Sequence, residues 1–157
     1  MFAIIEFMTE RYKIIPEVFL ILEREGKTLL SRRFNTGYND GYYGLPAGHG
    51  EEETMREGTA REAKEEIGLE IDPKDLELAH VQHRWCDDKT NPHARVGFYF
   101  VPTKFSGEPE NKEPDKCDDL QWFPLDQLPS NMVPHVREAL RCYSAKINYS
   151  EFEWDKK

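Results

Sequence analysis

The chain has 157 residues, 38% of them apolar and 12% aromatic, enough for one domain with a substantial core. A formal net charge of −9 excludes a broad nucleic-acid-binding surface, which would be basic, and is compatible with a small anionic substrate where local cations screen it. Three widely spaced cysteines, Cys86, Cys117 and Cys142, form neither a CxxC pair nor a zinc spacing and point to reduced thiols in a cytoplasmic protein.

Residues 1–8 are apolar, but the run is short, Glu6 interrupts it, and no basic segment precedes it, so no signal peptide is read there. No stretch approaches the roughly 20 apolar residues of a membrane span. Residues 14–23, rich in Ile, Val, Phe and Leu, predict a buried strand. Glu25-Gly26-Lys27 turns the chain and residues 28–33 return it as a hairpin. A loop with Gly37, Asn39, Asp40 and Gly41 leads to Tyr43-Gly44-Leu45-Pro46-Ala47-Gly48-His49-Gly50, a Gly/Pro-rich connection with carbonyls suited to face a cation. Residues 53–67 predict the first helix, ended by Gly68; Gly58 inside it costs about 1 kcal/mol relative to Ala.

Strands are expected over 76–85 and 95–101, joined by a polar loop containing Asn91-Pro92. A long Gly/Pro/acid-rich loop covers 105–118, a short strand 120–123, and a turn of helix 125–128. The second full helix is predicted over 133–143, where Val133, Val136, Leu140 and Tyr143 follow a 3-4-3 spacing. A core of about 12–146 with a tail at 147–157 completes a single domain, 1–157. Strands in mixed order between two helices indicate α/β or α+β architecture with a mixed sheet.

The most informative segment is Arg61-Glu62-Ala63-Lys64-Glu65-Glu66-Ile67-Gly68-Leu69. At about 100° per residue, Glu62, Glu65 and Glu66 share one arc of roughly 100°, while Ala60, Ala63 and Ile67 occupy the opposite one. The three carboxylates crowd the last turn, where the helix dipole is already negative, and Glu62/Glu66 are a like-charge pair four apart. A solvated face is the simple account of such a stretch. A bound divalent cation is the account that explains why anions gather where they repel.

Glu53, seven further residues, and then Arg61, Glu62, Glu65, Glu66, Gly68 and Leu69 resemble the Nudix box. The chain departs from that pattern twice: Ala63 replaces a larger aliphatic residue, and four residues rather than five separate Gly48 from Glu53. Counting back from Glu53, the box glycine position falls on Ala47. The resemblance implies an α/β/α sandwich with a mixed sheet and a loop-helix-loop catalytic motif. It also implies a metal site of Glu62, Glu65 and Glu66 with the backbone carbonyl of Ala47 or Gly48, and Arg61 holding the geometry through Glu53. Mg²⁺ suits these hard oxygen donors, with Mn²⁺ as substitute.

The segment Gly107–Glu113 resembles the loop that supplies a further catalytic glutamate in MutT-type enzymes, which maps that role to Glu113; its other reading is one more loop acid. Asn131 has two readings as well, a base-reading amide or the N-cap of the second helix. Of Arg32 and Arg33, one is expected to contact phosphate or ribose, and Arg33 is the candidate. Trp85, Trp122, Phe34, Tyr42 and Tyr43 are candidates to stack on a base, against ordinary packing. His49 reads as a solvated loop histidine.

The implied activity is Mg²⁺-dependent cleavage of a nucleoside diphosphate linked to another group, foremost a nucleoside triphosphate, including modified ones, to monophosphate and pyrophosphate. The alternatives are an ADP-ribose or nucleotide-sugar pyrophosphatase, a nucleotide-binding module without turnover, and a diphosphate isomerase. No proline lies within 79–86, which counts against ADP-ribose. The implied partner is a small-molecule nucleotide, with neither a nucleic acid polymer nor a membrane, and the protein is expected to be a monomer or homodimer.

Overall fold

The computed structural model of the protein describes residues 11–87 and 93–156. The apolar start at 1–8 and most of the polar loop expected around Asn91-Pro92 lie outside them. The strands in chain order are β1 (Ile15–Leu20), β2 (Glu23–Arg24), β3 (Lys27–Arg33), β4 (Tyr43–Gly44), β5 (Ala47–His49), β6 (Leu76–Cys86), β7 (His93–Pro102), β8 (Cys117–Pro124) and β9 (Tyr149–Phe152). The helices are α1 (Met55–Ile67) and α2 (Pro134–Ser144).

The apolar run at 14–23 serves two sheets. β1 enters a five-stranded mixed sheet of order β5-β1-β7-β6-β9, and after the fully buried Ile21 and Leu22 the chain starts β2 of a second, antiparallel sheet. The hairpin appears as expected: Glu25 and Gly26 both take positive φ, which suits a two-residue connection between twisted strands. In the second sheet β3 also pairs with β4 and along its length with β8.

The two faces of the larger sheet are buried by different helices. Period-two alternation sends Leu20, Leu22, Leu76 and Phe100 to a cluster with Ala63 and Ile67 of α1. Phe19, Ile21 and Tyr99 pack with Val136, Ala139 and Leu140 of α2, and Phe19 stacks on Tyr99 at 4.4 Å. This is the expected α/β/α sandwich.

Three expectations change. Helix α1 starts at Met55 because Thr54 closes a capping box: its hydroxyl accepts from the Glu57 N–H, and the Glu57 carboxylate accepts from the Thr54 N–H at 2.9 Å. Residues 125–128 form a turn, not helix, since Pro124 and Pro129 bracket too short a stretch. The expected tail is ordered structure: Tyr149–Phe152 pair in parallel with Val81–Arg84, and the Trp154 indole N–H donates to the His83 carbonyl at 3.0 Å. The alternation Tyr149, Glu151 exposed and Ser150, Phe152 less so is that of an edge strand.

Candidate active site

The site forms where the β4–β5 connection meets α1. Capping by Thr54 leaves Glu53 on the incoming chain, outside the helix, where it faces Arg61 about two turns further on. Arg61 Nε and Nη2 donate to Glu53 Oε1 at 3.0 and 2.8 Å, and Nη1 donates to Glu62 Oε1 at 2.7 Å. A longer contact of 3.4 Å reaches Glu65 Oε2, and Nη2 also reaches the His49 carbonyl at 3.3 Å. The Glu53 hydrogen bond, followed by those to Glu62, raises the guanidinium pKa and keeps Arg61 charged. Gly58 is needed beside this array: an added Cβ would sit 3.0 Å from Glu53 Oε1.

The short loop resolves its own ambiguity. Gly48 is the residue against the carboxylates, since a Cβ there would fall well inside van der Waals contact of the Glu62 carboxyl group. Ala47, at the box-glycine spacing, turns its N–H to Glu66 Oε2 at 3.0 Å. Both residues lie in β5, paired with Phe19 and Val18 of β1, so the loop is held as a strand edge.

Glu113 comes in from a distant part of the chain. The backbone N–H groups of Glu110 and Lys112 donate to the carbonyls of Ile67 and Glu66, each at 3.0 Å, so the 107–116 loop caps the last turn of α1. Asn111 braces the loop from within: its amide donates to the Cys117 carbonyl at 2.6 Å and its Oδ1 accepts from the Glu113 N–H at 3.0 Å. Glu113 is then held by Lys116 Nζ at 2.8 Å.

Glu62, Glu65, Glu66 and Glu113 line one cavity of about 960 Å³. Burial pushes the Glu66 carboxyl up to about 8, against the pull of the Ala47 N–H, and the charges of Glu62 and Glu113 push it further in the same direction. Burial also raises Glu62, opposed by Arg61 and reinforced by Glu65 and Glu113. Glu62, Glu66 and Glu113 thus act on one another, whereas Glu65 is half exposed and couples through Glu62.

Among the described residues no three Asp, Glu, His or Cys side chains already converge on one metal position. Arg61 and the Ala47 amide engage the carboxylate oxygens instead. The donor set still fits a hard divalent cation: clustered carboxylates, two of them held above their ordinary pKa by burial and mutual repulsion, gain from a positive charge between them.

The remaining sequence candidates divide. Arg33 lines the cavity, its Nε donating to the Tyr38 carbonyl at 2.7 Å, while Arg32 is held away by Asp118 at 2.7 Å. His49 is exposed, as expected, and lines the cavity mouth beside Arg95 Nη1 at 3.2 Å. Asn131 is not brought to the cavity: its amide donates to the Gly41 carbonyl at 2.8 Å and its carbonyl accepts from Tyr43. It is not the N-cap either, because Val133 holds that position without a side-chain bond. None of Trp85, Trp122, Phe34, Tyr42 and Tyr43 lines the cavity; Phe19 and Tyr38 do, and Tyr38 lies against Arg33 at 5.3 Å. Glu17, Arg84, Arg95 and His135 also line it without having been anticipated. The buried polar stripe His80, Gln82, Arg84 at period two was the available signal.

Comparison with known proteins gives the family. The NUDIX domain family matches residues 14–143. The chain is 28% identical over 151 residues to the phosphatase NudJ of Escherichia coli strain K12, covering 87% of this chain and 91% of that one. It is 27% identical over 120 residues to the NAD-capped RNA hydrolase NudC of Stutzerimonas stutzeri, covering 75% of this chain but only 39% of NudC. The crystal structure of a MutT NUDIX hydrolase from Burkholderia pseudomallei superposes with a TM-score of 0.72 at 30% identity, covering 82% of this chain and 97% of that one. The chain belongs to the NUDIX domain family. It is a Nudix hydrolase, a class that generally uses divalent metal ions.

Proposed function

We propose that the protein is a Mg²⁺-dependent pyrophosphohydrolase that cuts the diphosphate of a nucleotide, foremost a nucleoside triphosphate, to monophosphate and pyrophosphate. The observation that supports this reading most is the meeting of Glu62 and Glu66 of α1 with Glu113 of the 107–116 loop in one cavity. The names of the relatives are compatible with a phosphoric-anhydride substrate and do not select among them.

In this reading Glu62, Glu65 and Glu66 would hold the divalent ion, together with the backbone at Ala47 or Gly48. The bound ion supplies charge neutralisation on the phosphates and acidification of water. The rest is done by the chain. Arg61 fixes the carboxylate of Glu62 and, through Glu53, its own orientation. The Ala47 N–H orients Glu66. Glu113, as the acid on a loop rather than on the helix, is placed to accept a proton from water attacking phosphorus. Arg33 contacts phosphate or ribose at the wall.

The test is incubation with Mg²⁺ and a panel of nucleoside triphosphates, modified deoxynucleotides, ADP-ribose and nucleotide sugars, with products identified by mass. Monophosphate and pyrophosphate from at least one triphosphate is the expected result. Cleavage confined to ADP-ribose or sugar nucleotides would replace the substrate class. Binding without cleavage at high enzyme would leave a nucleotide-binding module.

A further inference from the structure

The wall opposite the α1 carboxylates has a charge arrangement that the hydrolytic reading does not use. Arg84 on β6 and Arg95 on β7 stand directly opposite each other in the antiparallel ladder. Like charges placed so are destabilising. Between them reaches Glu17 of β1, whose carboxylate accepts from Arg84 Nε at 3.2 Å and Nη2 at 2.9 Å, and from Arg95 Nη1. Glu17 and Arg84 are only 7% and 5% exposed, so this is an internal array and not surface decoration. One carboxylate against two guanidinium groups leaves a formal charge of +1 on a largely desolvated wall, which costs stability unless an anion meets it.

The surroundings carry both signs, with Asp87 and Glu51 also at the lining. Arg33 lines the same cavity, and Arg95 leads back through His49 to the loop that touches Arg61. Burial, reinforced by Arg84, Arg95 and Arg33, holds His135 well below the usual imidazole range and keeps it neutral. The cavity therefore has an acidic end at α1 and a basic end at the β6/β7 ladder.

We propose that Arg84 and Arg95, oriented by Glu17, form an anion subsite for a terminal phosphoryl group on the part of the substrate away from the carboxylate-bound diphosphate. Arg95, the more accessible of the pair, makes the direct contact. Arg84 lies behind it, and Glu17 is a positioning residue that fixes both guanidinium planes. The subsite rests on the hydrolytic reading for its place in catalysis, but not for its ability to bind an anion. The phosphoryl group has two sources: the end of a nucleoside triphosphate, or a phosphate ester on the group linked to a nucleoside diphosphate.

The experiment has two arms. In EDTA the carboxylate end repels anions, so calorimetry with inorganic pyrophosphate reports the basic end alone. Wild-type protein should bind, and Arg95→Gln should weaken binding roughly tenfold or more, the loss of a charge-assisted hydrogen bond. Arg95→Lys keeps the charge but not the fork and should weaken it severalfold; it also serves if the glutamine variant fails to fold. Undiminished pyrophosphate binding in the folded variants overturns the proposal. In the second arm, with Mg²⁺, KM is compared between a nucleoside triphosphate and its diphosphate, and between sugar-linked diphosphates with and without a phosphate on the sugar. Arg95→Gln should raise KM selectively for the members carrying the terminal phosphoryl group, and the pair affected identifies the source. A uniform rise across all four overturns the subsite. If no substrate is cleaved, the hydrolytic reading fails while the pyrophosphate arm still decides the anion site.

Discussion

Gly48 and Glu62 occupy adjoining space so closely that no side chain fits at position 48: an added Cβ would overlap the Glu62 carboxyl group. Gly48 is paired with Val18 in β5, so the backbone cannot easily retreat. Gly48→Ala should therefore displace Glu62 while leaving the fold intact. The expected outcome is a fall of about 10–100-fold in activity or metal affinity, the scale of losing an orienting contact to a metal ligand, with an unchanged circular dichroism spectrum. Wild-type kcat/KM in the alanine variant would mean Glu62 is free to act from elsewhere.

Glu66→Gln should separate stability from activity. The carboxyl group is buried, crowded by Glu62 and Glu113, and hydrogen-bonded to the Ala47 amide. A glutamine keeps the acceptor oxygen and mimics the protonated form favoured at neutral pH, but cannot ionise when metal binds. Metal-free Tm should rise or hold, while kcat falls by at least about 10², as expected on losing a major electrostatic element of a site. Retained turnover would place the metal away from Glu66.

Metal binding should depend on pH with a defined sign. The Glu66 pKa is raised to about 8, so at neutral pH Mg²⁺ must displace a proton. Affinity measured by calorimetry should increase as pH rises from 6 toward about 8 and level off above it. The same shift predicts that metal-free stability falls over that window: between the ordinary carboxylate value and about 8 the folded state holds a proton that the unfolded chain has lost. An affinity independent of pH from 6 to 9 would contradict the assignment.

Asn111 and Glu113 should behave as one unit. Asn111 accepts from the Glu113 N–H and donates to the Cys117 carbonyl, so it fixes the segment that carries the acid. Asn111→Ala should reduce kcat in the same direction as Glu113→Gln, and the double variant should lose little beyond the worse single one. Fully additive losses would show that Asn111 supports the fold without positioning Glu113.

The acids of α1 were legible because their spacing is local: helical periodicity alone puts Glu62, Glu65 and Glu66 on one arc, while the pairing of Arg61 with Glu53 came from the family resemblance. Thr54-x-x-Glu57 was equally present as a capping signature, and its effect on where the helix begins is what frees Glu53. The basic wall was not legible, because Glu17, Arg84 and Arg95 meet only through the parallel pairing of β1 with β7 and the register of β6 on β7. A sequence shows which residues alternate along a strand but not which strands become neighbours. The same limit hid Tyr38, which reaches the cavity from a loop whose shape depends on the Asp40 carboxylate accepting from the Thr36 and Gly37 amides. The bond from the Asn131 amide to the Gly41 carbonyl is equally long-range and was not legible either.

The loop bearing Glu113 is tied to the end of α1 through the main-chain amides of Glu110 and Lys112. Main-chain bonds are indifferent to side-chain identity unless proline removes the donor. Positions 110 and 112 are thus free to drift over evolutionary time, as are the exposed side chains between them and the cavity, with no loss of anchorage. New substrate preferences can be sampled on that loop one substitution at a time, with the metal-facing acid kept in register throughout.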